Sequence, residues 1–187
     1  MAFLKLLFLI SATHVLTSIA WSADAQEVSL RQKEMCVVQL TQRTAAMVAE
    51  DWPELERLAE RYVKTCKNVV QDEDYSLAYL DMAVANVQLN YARKALSASE
   101  LCINIYYSNC GCHMQKIMAL IALNRLTDAR ATLNKAERLI EHLIDVSDRD
   151  QGNGRSASEM ELLKSHRNNL SSQQRLAASI RYRYFSQ

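Results

Sequence analysis

Of the residues in this chain whose types suit chemistry, the densest group is Cys110-Gly111-Cys112-His113, with Cys102 a short helical stretch upstream. Three thiols and an imidazole near one turn form a ligand set that suits zinc or copper(I). The same residues would serve redox chemistry through Cys110 and Cys112 if one of them were a low-pKa thiolate. Covalent haem is not expected, since its attachment motif needs two residues between the cysteines and only Gly111 stands there. The simplest reading of an odd cysteine set is structural. Cys102 pairs with Cys112, or with Cys110, and one thiol is left free or shared with a second copy of the chain.

Other catalytic patterns are missing. There is no nucleophile motif, no His-Glu-x-x-His, and with only three glycines no phosphate-cradling loop. His113, His142 and His166 stand singly on predicted helices, His142 one turn past Arg138 near a helix C-terminus. Glu54, Glu56 and Glu60 alternate with Arg57, Arg61 and Lys64 at spacings that pair opposite charges along a solvated helix face. No enzyme activity and no cofactor are expected.

The elements that position these residues begin after a leader. Met1 to Lys5 is short and basic, Leu6 to Ala20 is mostly apolar, and Ala23-Asp24-Ala25 carries small residues where a signal peptidase reads, so cleavage is expected before Gln26. The apolar stretch is shorter than the roughly 20 residues that span a bilayer, so no stable membrane span is expected after cleavage. Cys36 is too far from the cleavage point for a lipid anchor. Residues 1–25 are thus a predicted signal peptide and the destination is the periplasm or another secretory space, where disulfides persist. The whole chain has 22 basic and 21 acidic residues, and loss of Lys5 and Asp24 keeps the net charge at +1. There is no basic excess to suggest nucleic acid.

Three glycines and the single Pro53 give little of the turn vocabulary of a sheet, and the chain reads as all-α. Helical spacing predicts helices over about 28–49, 53–70, 75–90, 91–107, 112–124 and 127–146, with a polar break at 71–74. A loop over 147–156 follows, then a helical tail within 157–187. Asp51 and Thr127 are expected N-caps, and Gly111 is expected to permit a chain reversal. Cys36 and Cys66 lie at similar distances on either side of the turn at Trp52. Antiparallel packing of the first two helices would place them side by side, so a Cys36–Cys66 bridge is expected.

A period organises the middle of the chain. Leu89-Asn90 recurs as Leu123-Asn124, and at the same 34-residue offset Ala85 falls on Ala119, Ala95 on Ala129, Cys102 on Ala136 and Ile105 on Leu139. The stretch from about Met35 to Ile144 resembles three tetratricopeptide repeats. Tyr79, Met82, Ala83 and Ala95 occupy the aromatic, large-small and helix-crossing positions of the second repeat. Ala119, Leu120, Ala129, Leu133 and Ala136 fit the third. The first keeps Asp51-Trp52-Pro53-Glu54-Leu55 at its turn, and about six extra residues follow it. Lys116-Ile117 replaces the large-small pair of repeat three, and the frequent closing proline is missing.

The resemblance implies a right-handed superhelix of antiparallel helix pairs over residues 26–146, with 157–187 as a capping helix or tail. It also implies a concave groove lined by the first helix of each pair: Val37, Leu40, Thr44, Met47 and Val48, then Leu77, Leu80, Val84, Val87 and Gln88, then Met114, Met118, Ile121 and Ala122. That set is mainly apolar. At about 25 cal/mol per Å² of apolar surface, such a groove gains by being covered, and its Met and aliphatic side chains suit a partner's amphipathic helix. The expected function is protein–protein interaction. Two alternatives stand beside it: thiol redox or metal handling at Cys102, Cys110, Cys112 and His113, and self-assembly or homodimer formation through the C-terminal helix. The end of that helix, Arg181-Tyr182-Arg183-Tyr184-Phe185, has a composition enriched at interfaces.

Overall fold

The computed structural model describes residues 30–150 and 157–186. The expected leader and its cleavage site lie outside the described residues, as does 151–156 of the expected loop. Seven helices follow one another among the described residues: α1 over 30–48, α2 (Trp52–Cys66), α3 (Asp72–Gln88), α4 (Ala92–Ile105), α5 (Cys110–Ala122), α6 (Leu126–Asp150) and α7 (Ala157–Phe185).

The repeat is written most clearly in the turns inside the helix pairs. Glu50, Asn90 and Asn124 are the non-glycine residues with positive φ among the described residues, at 54°, 60° and 55°. Each follows the first helix of a pair and ends it the same way. The N–H of Glu50 donates to Met47 O at 3.1 Å and that of Asp51 to Ala46 O at 3.0 Å; Asn90 and Tyr91 do the same to Val87 and Asn86, and Asn124 and Arg125 to Ile121 and Leu120. This is the Schellman arrangement, which uses a left-handed residue to satisfy the last carbonyls of a helix. Asparagine tolerates that conformation well; glutamate is the costlier choice.

Several expected boundaries shift. Asp51 caps α2 as expected, its carboxylate accepting from Glu54 N–H at 3.2 Å. Thr127 lies inside the first turn of α6, and Asp72 to Asp74 form the first turn of α3, where acids suit the positive end of the helix dipole. Gly111 is not in a reversal. It lies within α5, where an added Cβ would meet Leu80 Cδ2 at 3.0 Å, so its missing side chain lets α5 approach α3. α6 runs on through Ser147 to Asp150, which the sequence placed in a loop.

Three clusters form the interior. Leu55 and Leu58 of α2 pack with Ala46 of α1 and Ala85 of α3, and Met47 and Trp52 close over them. Cys36, Tyr62, Cys66 and Ala78 form a second, joined by Val69 and Val70 of the extra segment between the first two repeats. The largest joins Cys110, Met114, Ile117 and Leu120 of α5 and Ala129, Leu133, Ala136 and Ile140 of α6 to Leu170, Ala177 and Ile180 of α7. The helix-crossing alanines, Ala95 and Ala129, are fully buried, which lets the second and third pairs pack closely. α7 lies on α6 and also reaches α5. Arg181 Nε donates to Glu137 Oε1 at 2.8 Å, and Arg167 Nη2 to Asp148 Oδ2 at 3.0 Å, which fixes its register on α6.

Candidate partner-binding face

The turn register lets equivalent side chains be compared. The buried face of the first helix in each pair carries Cys36, Gln39, Arg43 and Ala46 in α1, then Ser76, Ala83 and Asn86 in α3, then Cys110, His113, Ile117 and Leu120 in α5. In α1 this inward face is polar. Gln39 accepts from Thr65 Oγ1 at 3.1 Å. Arg43, only 2% exposed, donates through Nε to Asp81 Oδ2 at 2.8 Å and stacks over the Tyr62 ring at 4.6 Å. Burial pushes the Asp81 carboxyl up from its ordinary value, and the neighbouring Arg43 guanidinium only partly offsets this.

With polar groups inside, the aliphatic side chains of α1 point outward. Val37 is 63% exposed and Val48 80%, and Leu30, Met35, Val38 and Leu40 are exposed as well. The residues expected to line a groove are distributed as follows. Val37, Leu40 and Thr44 are exposed on α1 and Met47 is half-buried. Leu77, Leu80, Val84 and Val87 are half-buried on α3, and Met118 and Ile121 are half-buried on α5. Met114 departs from the expectation. It is 1% exposed within the cluster that α7 completes, so it serves the core and is not offered to a partner. Met118 and Ile121 pack against the same cluster. Among the described residues the open part of the face is therefore its α1–α3 end, where a depression of about 350 Å³ is bordered by Lys33, Val37, Leu40, Tyr62, Val69, Val70 and Asp74. Lys33, Val69, Val70 and Asp74 escaped the sequence reading, because three of them lie at or beyond the segment that breaks the 34-residue period.

The cysteines divide into two bridges and one thiol. Cys36 is joined to Cys66, with Cα atoms 5.9 Å apart, and ties α1 to α2. Cys102 is joined to Cys112 and ties α4 to α5. Cys110 remains a thiol, buried, and burial pushes it up to about 11, which keeps it protonated at neutral pH. His113 is 3% exposed. Its Nε2 lies 2.9 Å from Tyr107 O and its ring meets the Tyr107 ring edge-on at 5.1 Å. Burial lowers its pKa from the ordinary 6.5. The set Cys102, Cys110, Cys112 and His113 is thus not assembled as ligands: two of its sulfurs are spent on each other. Among the described residues no group of three or more His, Cys, Asp or Glu is placed to hold a metal ion. His142 and His166 are exposed and far apart in sequence. Among the described residues no helix is long and apolar enough to cross a membrane.

No protein-family model and no curated protein matches the sequence. Solved structures do. The TPR domain of Arabidopsis OM64 is similar at a TM-score of 0.52 and 16% identity, over 74% of this chain and 96% of that one. The TPR2B domain of yeast Sti1, solved in a complex with pHsp70, is similar at a TM-score of 0.49 and 20% identity, over 76% of this chain and 98% of that one. The fold is all-α and of the tetratricopeptide-repeat type.

Proposed function

We propose that this chain is an exported protein-binding module that holds an apolar segment of another protein on the inner face of α1 and α3. One observation carries the reading: successive first helices of the repeat turn half-exposed aliphatic side chains to one side, and α1 does so at the expense of an apolar interior of its own. Val37, Leu40, Leu77, Leu80, Val84 and Val87 would bury against the partner, gaining about 25 cal/mol per Å² of apolar surface covered. Lys33 and Asp74 at the border of the depression would orient it. An amphipathic helix fits, since its apolar stripe matches a groove of aliphatic side chains spaced by helical turns. Binding of this kind makes and breaks no covalent bond. Export is supported by the leader-like start and by two bridges that would not persist in a reducing compartment.

The test is crosslinking in the native compartment. Wild type is compared with Leu40→Glu plus Val84→Glu, and with Arg138→Glu on an exposed part of α6 as the control. Loss of the same crosslinked protein from the inner-face variant alone is the expected result. Equal recovery by all three would overturn the assignment of the face.

A further inference from the structure

The two halves of α1 are held by different means. Among the described residues, the stretch 30–40 buries only Cys36 and Gln39, whereas the matching stretch of α3 buries Tyr75, Ser76 and Ala78, and that of α5 buries Cys110, Cys112, His113 and Met114. No aliphatic side chain anchors this half: Leu30, Met35, Val37, Val38 and Leu40 are all exposed. Besides the Cys36–Cys66 bridge, hydrogen bonds to Thr65 of α2 hold it, Gln32 Nε2 donating to Thr65 O at 2.9 Å and Thr65 Oγ1 to Gln39 Oε1 at 3.1 Å. The other half is fixed more broadly. Arg43 pairs with Asp81 of α3, Ala46 packs with Leu55 and Leu58, and the left-handed turn at Glu50 leads directly into α2. The bridge also borders the binding face. Cys36 lines the depression of about 350 Å³ beside Lys33, Val37 and Leu40, while Cys66 is fully buried.

We infer that the Cys36–Cys66 bridge is a redox latch on the groove: residues 30–40 are ordered on α2 while it is closed and unwind when a dithiol opens it, which removes Lys33, Val37 and Leu40 from the face. The consequence for binding rests on the inner-face reading above. A thiolate of the dithiol attacks Sγ of Cys36, the sulfur at the edge of the depression. The S–S bond breaks, and Cys66 leaves as a thiolate and takes up a proton; the second sulfur of the dithiol then displaces Cys36, which leaves in the same way. The protein gains two electrons and two protons, and the reductant ends as a disulfide. The freed stretch is shorter than the roughly 12–15 residues an isolated helix needs to persist in water. Ordering and release of such a segment is a recurrent form of switch. The second bridge has no such role. It joins α4 to α5, and these pack on α3 and α6 as well as on each other, so both keep their places without it.

The test is hydrogen exchange of the oxidised protein, purified as exported, before and during treatment with dithiothreitol. Mass spectrometry reads exchange by segment, and alkylation reads which cysteines have opened. Cys36 and Cys66 should be alkylated before Cys102 and Cys112. Residues 30–40 should then exchange at least about tenfold faster, which corresponds to about 1.4 kcal/mol, while 43–48 and α3 to α6 keep their protection. Cys36→Ser with Cys66→Ser should show the same pattern without reductant. Unchanged exchange in 30–40, loss of protection across every helix, or opening of Cys102–Cys112 first overturns the inference. In the native compartment the same double variant should lose the crosslinked protein that wild type captures. Its retention overturns the latch and leaves the groove to be judged by Leu40→Glu with Val84→Glu. If that groove variant crosslinks as wild type does, the groove reading falls, and the exchange measurement alone decides the switch.

Discussion

The first and third repeats share one backbone frame and fill it in opposite ways. In the third, Ile117, Leu120, Leu133 and Ile140 are buried and α7 closes the cluster with three more apolar side chains. In the first, the corresponding face of α1 buries Gln39 and Arg43; a disulfide holds α1 to α2, and a buried ion pair between Arg43 and Asp81 ties α1 to α3. The difference teaches that the frame follows the left-handed turn that both repeats share more than what fills it. It also shows where aliphatic residues go when they are not needed inside. At the α7 end they are buried in the core; at the α1 end, among the described residues, they face outward.

If the first repeat depends on its crosslink, removing that link should be the largest single insult to it. Cys36→Ser with Cys66→Ser opens a loop whose ends are 30 residues apart in sequence, worth roughly 3.5 kcal/mol in the chain-entropy model. Cys102→Ser with Cys112→Ser, which spans 10 residues, should cost less, about 2.7 kcal/mol. Urea denaturation of the two double variants gives the order, and the reverse order would break the comparison.

Next comes the buried pair. Arg43→Met should cost about 3 kcal/mol, because Asp81 loses its counter-charge, and adding Asp81→Leu should recover much of that. The pH sign follows from Asp81. Its folded pKa is already raised by burial and goes higher without Arg43, so the protonated form favours folding. The single variant should be least damaged at pH near 3.8 and progressively less stable as pH rises through the raised value. A loss independent of pH would show that Arg43 acts through packing on Tyr62 alone.

In the third repeat the titrating group is His113. Its folded pKa lies below the ordinary 6.5, so its contribution is complete above 6.5 and is lost as pH falls below that toward the folded value. Thermal melts at pH 7.5 and at pH 5 should differ more for wild type than for His113→Gln. The smallest effect belongs to the turns. Glu50→Gly should raise stability by about 0.5–1 kcal/mol, since glycine takes the left-handed conformation without strain, whereas Asn90→Gly and Asn124→Gly should gain less.

Much of this was legible in the residues. The 34-residue offset between Ala85 and Ala119 located two repeats, Asp51-Trp52-Pro53 located the turn of a third, and the spacing of Cys36 and Cys66 about that turn placed them on facing helices. The turn chemistry was less visible. Glu50 is not a residue type associated with positive φ, so its equivalence to Asn90 and Asn124 emerges only from the backbone. The buried face of α1 was hidden for a different reason. Apolar spacing marks the inward side of a helix, and Gln39 and Arg43, being polar, carry no such mark although both point in. Met114 misled in the opposite direction, because nothing near it in sequence announces that α7, reached only after the chain turns back, will cover it.

Trp52 packs on the Leu55 and Leu58 cluster of the first repeat, and the other tryptophan, Trp21, belongs to the segment expected to leave with the leader. The processed chain would then carry a built-in lamp at one end only. Its fluorescence would follow the loosening of the α1–α2 pair, while ellipticity sums over every helix. A gap between the two melting curves would show the array peeling from the end that carries the proposed contacts, and coincident curves would show that so short a stack still melts as one body.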